Sequence, residues 1–380
     1  MNSRIHIIDS IRGLAILGII LVNIPSFAWP EIYDSFPSSY WHTPAEKLLH
    51  DILSLLVQSS FYPVFATLFG VSMLFVFQSA EKKGLNQYFV FLKRLIILLI
   101  IGLAHALFIW HGDILVVYAL LGLLLLPFYR LSAKLLFKIG LTLWLVPNAF
   151  YGLWLFVTKA VIIPYDNTSA IQEVIKQYHS GILAAFNQNI HEWSQLYSLA
   201  SLPFIFISIF PMLLFGLSLA KSNLLSVIAE NRLNVNLVLI GSGVIGLSLK
   251  ALPLIGPSNM LFSHLAEVFG GPIVGLFYAL LMVKFANKLA QFQTALSYVG
   301  RMSLSNYVFQ SLTGFLIFKV LGLYGKISTI HTITIALIII SMQLIISKWW
   351  IKKFNCGPLE NMWKKLTYFH LSNTRVKEIS

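Results

Sequence analysis

His105 is the only ionisable residue in the apolar run Leu95 to Trp110 (LIILLIIGLAHALFIW), and His111-Gly112-Asp113 follows at once. A second apolar run, Ile114 to Phe128, begins directly after Asp113. Placing a charged side chain deep in a lipid-spanning helix costs about 2.5–3.5 kcal/mol on insertion scales, so such groups face the interior and mark functional sites. An imidazole oriented by a carboxylate is a general base or a transient acyl carrier. The competing reading is a neutral histidine satisfied by a neighbouring helix. On an unbroken helix, Asp113 would lie about 12 Å beyond His105 and about 80° around the axis, out of contact. Gly112 points to a turn, from which Asp113 either folds back or caps the next helix through its free N–H groups.

Other polar groups offer weaker signals. Asp9 and Arg12 share one helix face at the start of the first apolar segment; they hold an anionic donor, or they form an interfacial ion pair. Asn23, about 16 Å further along nearly the same face, fits a tie between helices. Arg301 and Asn306 lie at the start of a later segment, where Arg suits a bidentate phosphate contact. His50 and Asp51 sit on an amphipathic stretch, Leu48–Gln58, and read most simply as a solvated face. His111 reads as a solvated neighbour of the main pair. The segment Gly357-Pro358-Leu359-Glu360 reads as a turn into an interfacial tail, with Trp349, Trp350 and Trp363 as headgroup anchors.

The elements that must position these groups follow from composition. The 380 residues are 57% hydrophobic and only 11% charged, with a mean hydropathy of +0.79. A soluble domain carries about twice that charge. The chain is expected to be all-α: a polytopic membrane protein of about ten transmembrane helices. The spans run approximately Gly13–Ala28, Phe61–Phe77, Leu95–Trp110, Ile114–Phe128, Ile139–Ile163, Leu199–Ala220, Val235–Ile255, His264–Val283, Leu304–Leu323 and Thr334–Trp350. Six spans fall in residues 1–220 and four in 221–350, with 351–380 as an interfacial tail, all forming one membrane domain. Leu48–Gln58 is expected to lead into the second span as a re-entrant or surface helix. Pro30–Lys47 and Pro164–Tyr197 are longer outer segments, the latter expected to form a small helical cap.

Basic residues set the orientation. With both termini cytoplasmic, 21 of the 27 Lys and Arg fall on inner segments and the tail, the positive-inside pattern. The formal charge of +13 is scattered along loops and does not form a nucleic-acid patch. Ser26-Phe27-Ala28 resembles a cleavage site, but cleavage would remove Asp9, Arg12 and Asn23, so the first span is expected to be retained. The single Cys356 excludes an internal disulfide. No CxxC, HExxH or P-loop pattern supports a metal or nucleotide-phosphate site, so no bound metal or cofactor is expected.

Five ordered motifs carry a family resemblance. They are IIDSIRGLAILGIILVNI (Asp9, Arg12, Gly13, Asn23), FYPVFATLFG (Phe61 to Gly70), GLAH to GDIL (Gly102 to Leu115), GRMSLSNY (Gly300 to Tyr307), and GPLE with Trp363. Together they resemble the YeiB family of bacterial inner-membrane proteins over almost the whole chain. That family's membrane fold resembles transmembrane acyltransferases, including the heparan-glucosaminide N-acetyltransferase that draws acetyl groups from cytosolic acetyl-CoA. By position relative to FYPVFATLFG, His50 competes with His105 for the acyltransferases' histidine.

The resemblance implies an acyltransferase. His105 and Asp113 would be catalytic. Arg12, Arg301, Asp9 and Asn306 would hold an acyl-CoA donor, and Lys93 and Arg94 would add to the basic face. The acceptor would be a small molecule, glycan or lipid on the envelope side, and oriented acyl transfer then needs only local oxyanion donors besides the base. The alternative is a transporter or exporter of a small solute or lipid that uses the same groups as a binding site or proton relay. Orientation is checked by cysteine labelling from outside on a Cys356-free background. Cysteines placed in 167–188 should react in intact cells and those in 81–87 should not, and the reverse pattern would invert the topology.

Overall fold

Backbone groups in lipid must be paired within their own segment, so the apolar runs have to be helical. The computed structural model describes residues 3–33, 43–160, 167–222, 224, 235–255 and 259–369, and among them no strand occurs. The helices are α1 (Ser3–Ala28), α2 (Pro44–Leu56), α3 (Phe61–Glu81), α4 (Gln87–Phe108) and α5 (Leu115–Leu125). They continue as α6 (Ala133–Thr158), α7 (Thr168–His179), α8 (Ile182–Leu196), α9 (Leu202–Lys221) and α10 (Asn236–Ile255). Next come α11 (Met260–Lys284), α12 (Ala290–Arg301), α13 (Ser303–Gly314), α14 (Thr329–Phe354) and α15 (Pro358–Tyr368). Single π-helical turns interrupt α11 at Leu265–Gly270 and extend α13 over Phe315–Val320.

Each of the ten expected spans coincides with a helix among the described residues, yet only eight of those helices are long and apolar enough to cross a membrane. Two depart from expectation for different reasons. The segment expected at Ile114–Phe128 is short: α5 has eleven residues and ends in a 3₁₀ stretch, Leu126–Arg130. The segment expected at Leu304–Leu323 carries a buried polar face of Ser305, Asn306, Tyr307, Gln310 and Ser311, which dilutes its apolar character. Those amides are paired. Gln310 Nε2 donates to Gln343 Oε1 at 2.8 Å, Asn306 Nδ2 to Ser347 Oγ at 3.0 Å, and Gln343 Nε2 to the Asn306 carbonyl at 2.9 Å. This polar seam joins α13 to α14. Interhelical bonds of this kind contribute roughly 0.6 kcal/mol each on average, and here they fix the rotation of α13.

Two helix pairs approach through glycine. A Cβ at Gly300 would lie 1.9 Å from the Asp9 carbonyl oxygen, and one at Gly13 would lie 2.0 Å from that of Leu296. The same holds between α3 and α9, where a Cβ at Gly216 would meet the Thr67 oxygen at 1.9 Å and one at Gly70 the Leu213 oxygen at 2.1 Å. Small residues let backbones meet closely where lipid supplies no hydrophobic drive. The α1–α12 contact brings Arg12 and Arg301 to one end of the bundle. It also joins the first half of the chain to the second.

The segment 167–197 forms two helices, α7 and α8, divided at Gly181, whose φ of +114° disfavours any side chain. The connection between the two halves, residues 221–234, lies almost wholly outside the described residues, as does residue 370 onward of the tail. Gly300→Ala should lower the melting temperature of the protein in detergent, because overpacking typically costs about 1–3 kcal/mol. Gly241→Ala, on α10 with nothing within 4 Å of a Cβ, should leave it unchanged or raised.

Candidate functional site

α4 stops one turn after His105. Both Ile109 and Trp110 donate their backbone N–H to the His105 carbonyl, at 2.9 and 3.0 Å, and this closes the helix. The chain then turns and brings Asp113 back, so that Asp113 Oδ2 lies 2.8 Å from His105 Nδ1. The other carboxylate oxygen accepts the Val116 N–H at 2.8 Å. Asp113 thus both caps α5 and faces the imidazole, and the two readings of its role coexist. The pair is almost wholly enclosed, with His105 2% and Asp113 0% exposed. The approach lies off the axis of the ring N–H, so it is a close contact and not a linear hydrogen bond; Nε2 has no hydrogen-bond partner among the described residues.

A cavity of about 190 Å³ leads from the basic end of the bundle toward this pair. Arg12, Arg94 and Arg301 line its mouth, with Glu360 and Trp363 from α15. Ile114, Tyr118 and Tyr307 line its inner part. His105 and Asp113 do not line this cavity; they lie just behind Ile114 and Tyr307. The physical reason is the Tyr307 ring, whose centroid lies 5.1 Å from that of His105. It occupies the space between the imidazole and the cavity. The Tyr307 hydroxyl accepts the Ile114 N–H at 3.3 Å.

The other named residues are placed as follows. Arg12 Nη1 pairs with Asp9 Oδ1 at 2.7 Å, and Asp9 is buried beside the α1–α12 contact, off the cavity wall. Arg301 Nη2 donates to the Asn355 carbonyl at 2.6 Å. Asn306 does not reach the cavity; its amide hydrogens go to the Val299 carbonyl and Ser347 Oγ. His50 is on α2, half-buried, and does not line the cavity.

Sequence reasoning assigned no chemistry to α15. Yet Glu360 Oε1 accepts the N–H groups of Leu304 and Ser305 at 2.7 and 3.1 Å, capping α13. Trp363 turns inward: its Nε1 donates to the Arg94 carbonyl at 2.8 Å, and the Arg94 guanidinium lies 3.6 Å from its ring centroid. The i,i+3 spacing of Glu360 and Trp363 was the available signal for a helix face that docks inward.

The α7–α8 cap grips the His105–Asp113 turn from the other side. Asn189 Nδ2 donates to the Ala106 carbonyl at 2.6 Å, and the Tyr197 hydroxyl donates to the Asp113 carbonyl. His111, expected to be solvated, is buried, and its Nδ1 lies 2.7 Å from Glu192 Oε2. Glu192 also accepts from the Tyr178 hydroxyl and, at 3.1 Å, from Gln188. Burial alone would push this carboxyl up, but His111, Lys319 and Tyr178 outweigh it and hold it at about 2, against an ordinary value of 4.5.

The fold and the polar groups within it define a polytopic, all-α membrane protein. Residues 219–370 match a family model described as "Protein of unknown function (DUF418)". Over 97% of this chain and 95% of the relative, the sequence is 31% identical to "Uncharacterized protein YxaH" of Bacillus subtilis (strain 168). It is 28% identical, over 95% of both chains, to "Uncharacterized protein YeiB" of Escherichia coli (strain K12). The chain belongs to this YeiB-like, DUF418-containing family.

A carboxylate held below its unfolded value stabilises the fold above that value, and loses the contribution as pH falls through the folded one. For Glu192 the window runs from about 4.5 down to about 2. The melting temperature of the detergent-solubilised protein should therefore fall steadily below pH 5. Glu192→Gln should melt lower at pH 7 and show a flatter acid limb. An unchanged limb would mean that the cap is held by other contacts.

Proposed function

We propose that this protein is an acyltransferase of the bacterial inner membrane. It moves an acyl group from a cytosolic acyl-CoA-type thioester to a hydroxyl or amine on an envelope or extracytoplasmic acceptor. The observation that carries this reading is the buried His105–Asp113 pair with its unpartnered Nε2, set behind an arginine-lined cavity. Asp113 faces Nδ1, which favours the tautomer with its proton there and leaves the Nε2 lone pair available, the orientation a general base needs.

In the reaction, Nε2 takes the acceptor's proton as its oxygen or nitrogen attacks the thioester carbonyl. The C–S bond breaks, and the thiolate takes the proton back from the imidazolium. The products are the acylated acceptor and a free thiol. Arg12, Arg94 and Arg301 supply planar, charged donors suited to phosphate oxygens. The cavity, at about 190 Å³, is smaller than the ~300–1,000 Å³ typical of small-molecule sites. It accommodates only the reactive end of a coenzyme-sized donor, with the phosphates held at the mouth.

The test uses purified protein in lipid, radiolabelled acetyl-CoA and cell-envelope extract. Label should pass to an envelope product, and His105→Ala should reduce the rate about 10²–10⁴-fold with expression unchanged. Arg301→Ala should raise the donor KM. If no label moves and acetyl-CoA gives no thermal shift, acyl transfer is wrong. A transporter would instead show a flux whose pH dependence changes in His105→Ala, with no acetyl-CoA consumed.

A further inference from the structure

Tyr307 is buried, with only 4% of its surface exposed, and is in contact with both parts of the site. Its ring lies against His105 on one side and lines the arginine cavity on the other. Its hydroxyl accepts a hydrogen bond from the Ile114 N–H. No acceptor for the phenol's own proton is found among the described residues, whereas the other tyrosine of the inner cavity, Tyr118, directs its hydroxyl at the Tyr62 carbonyl, 3.4 Å away. A phenol has one O–H to donate besides its acceptor lone pairs. At Tyr307 that donor stands where the cavity meets the imidazole. Its acceptor bond from Ile114 polarises the O–H and strengthens it as a donor, since linked hydrogen bonds reinforce one another.

We infer that Tyr307 is a catalytic residue whose hydroxyl donates to the carbonyl oxygen of the acyl group as negative charge builds on it. The inference rests on the acyl-transfer reading above and adds the group that reading lacks, an oxyanion donor. When the acceptor's oxygen or nitrogen bonds to the thioester carbon, the carbonyl π pair moves onto oxygen. Tyr307 donates a hydrogen bond there without giving up its proton. The pair returns as the C–S bond breaks, and the thiolate leaves with the proton from His105. A donor of this kind, fixed in advance and aimed at developing charge, is worth about 10²–10³ in kcat when removed.

The position also explains an otherwise awkward feature, the separation of the base from the cavity. The group between them is not inert packing but one that the reacting carbonyl must meet first. Asp113 and Ile114 are consecutive, so one turn orients the base through the Asp113 carboxylate and the donor through the Ile114 N–H.

The experiment compares wild type with Tyr307→Phe in lipid, using radiolabelled acetyl-CoA and envelope extract. Tyr307→Phe keeps the ring against His105. It should lose about 10²–10³-fold in kcat, with the acetyl-CoA KM within about twofold and the thermal shift by acetyl-CoA unchanged. Because the variant also releases the Ile114 N–H, a second series places 3-fluorotyrosine and 3,5-difluorotyrosine at position 307. These keep the oxygen that accepts from Ile114 and make its O–H more acidic. At a pH where all the phenols stay protonated, kcat should follow their acidity while KM stays flat. A Tyr307→Phe rate within threefold of wild type, or a fluorotyrosine series with constant kcat, overturns the role of Tyr307 and leaves acyl transfer standing. A wild type that transfers no label overturns the acyltransferase reading, and this inference falls with it.

Discussion

The structure turns on one contact, the 2.8 Å approach of Asp113 to His105 in a region from which water is excluded. Two ionisable groups in such surroundings are tolerable only if each satisfies the other, because isolated buried charges lose several kcal/mol of solvation. That requirement explains why α4 ends at Phe108 when its apolar run could continue. The helix has to break so that a carboxylate eight residues on can return. Asp113 spends its second oxygen on the first turn of α5, so pairing the histidine and starting the helix are one event.

Around this contact the bundle provides two unlike flanks. At the basic end, glycine-mediated packing of α1 on α12 collects Arg12 and Arg301, and the return of α15 adds Arg94 through its stack on Trp363. Three guanidinium groups beside a cavity make a field that favours anions, and the low dielectric around them strengthens it. On the other flank, α8 and Tyr197 just after it bind backbone carbonyls of the same turn, and Glu192 of α8 is buried against His111 and Tyr178 of α7. The cap is therefore mechanically tied to the pair. A movement of α8 would move the carbonyl of Asp113, since Tyr197 is bonded to it.

The polar seam between α13 and α14 has a positional role. Asn306, Gln310, Gln343 and Ser347 bond to one another, which ties α13 to α14 and sets the angle at which α13 presents Tyr307. Unpaired amides in the same place would each cost the desolvation of a buried donor or acceptor, about 1–3 kcal/mol. Glu360 does the same work at the start of α13 by taking up two N–H groups of its first turn.

Composition and periodicity were enough to give the all-α membrane class and the positions of the helical segments, and they singled out His105 and Asp113 as the polar groups to place. Lipid permits so few backbone arrangements that an apolar run of the right length has one outcome. The basic residues set the expected orientation, because local charge acts at the moment of insertion. What the sequence left open was every fact that depends on which helix faces which. That Asn306 is consumed by Ser347, that His111 meets Glu192, and that Arg94 rests on Trp363 are contacts across separations of 41, 81 and 269 residues. No local pattern encodes such meetings. They are fixed by the close packing of glycine faces and by the demand that each buried polar group find a partner, and only the folded chain satisfies both at once.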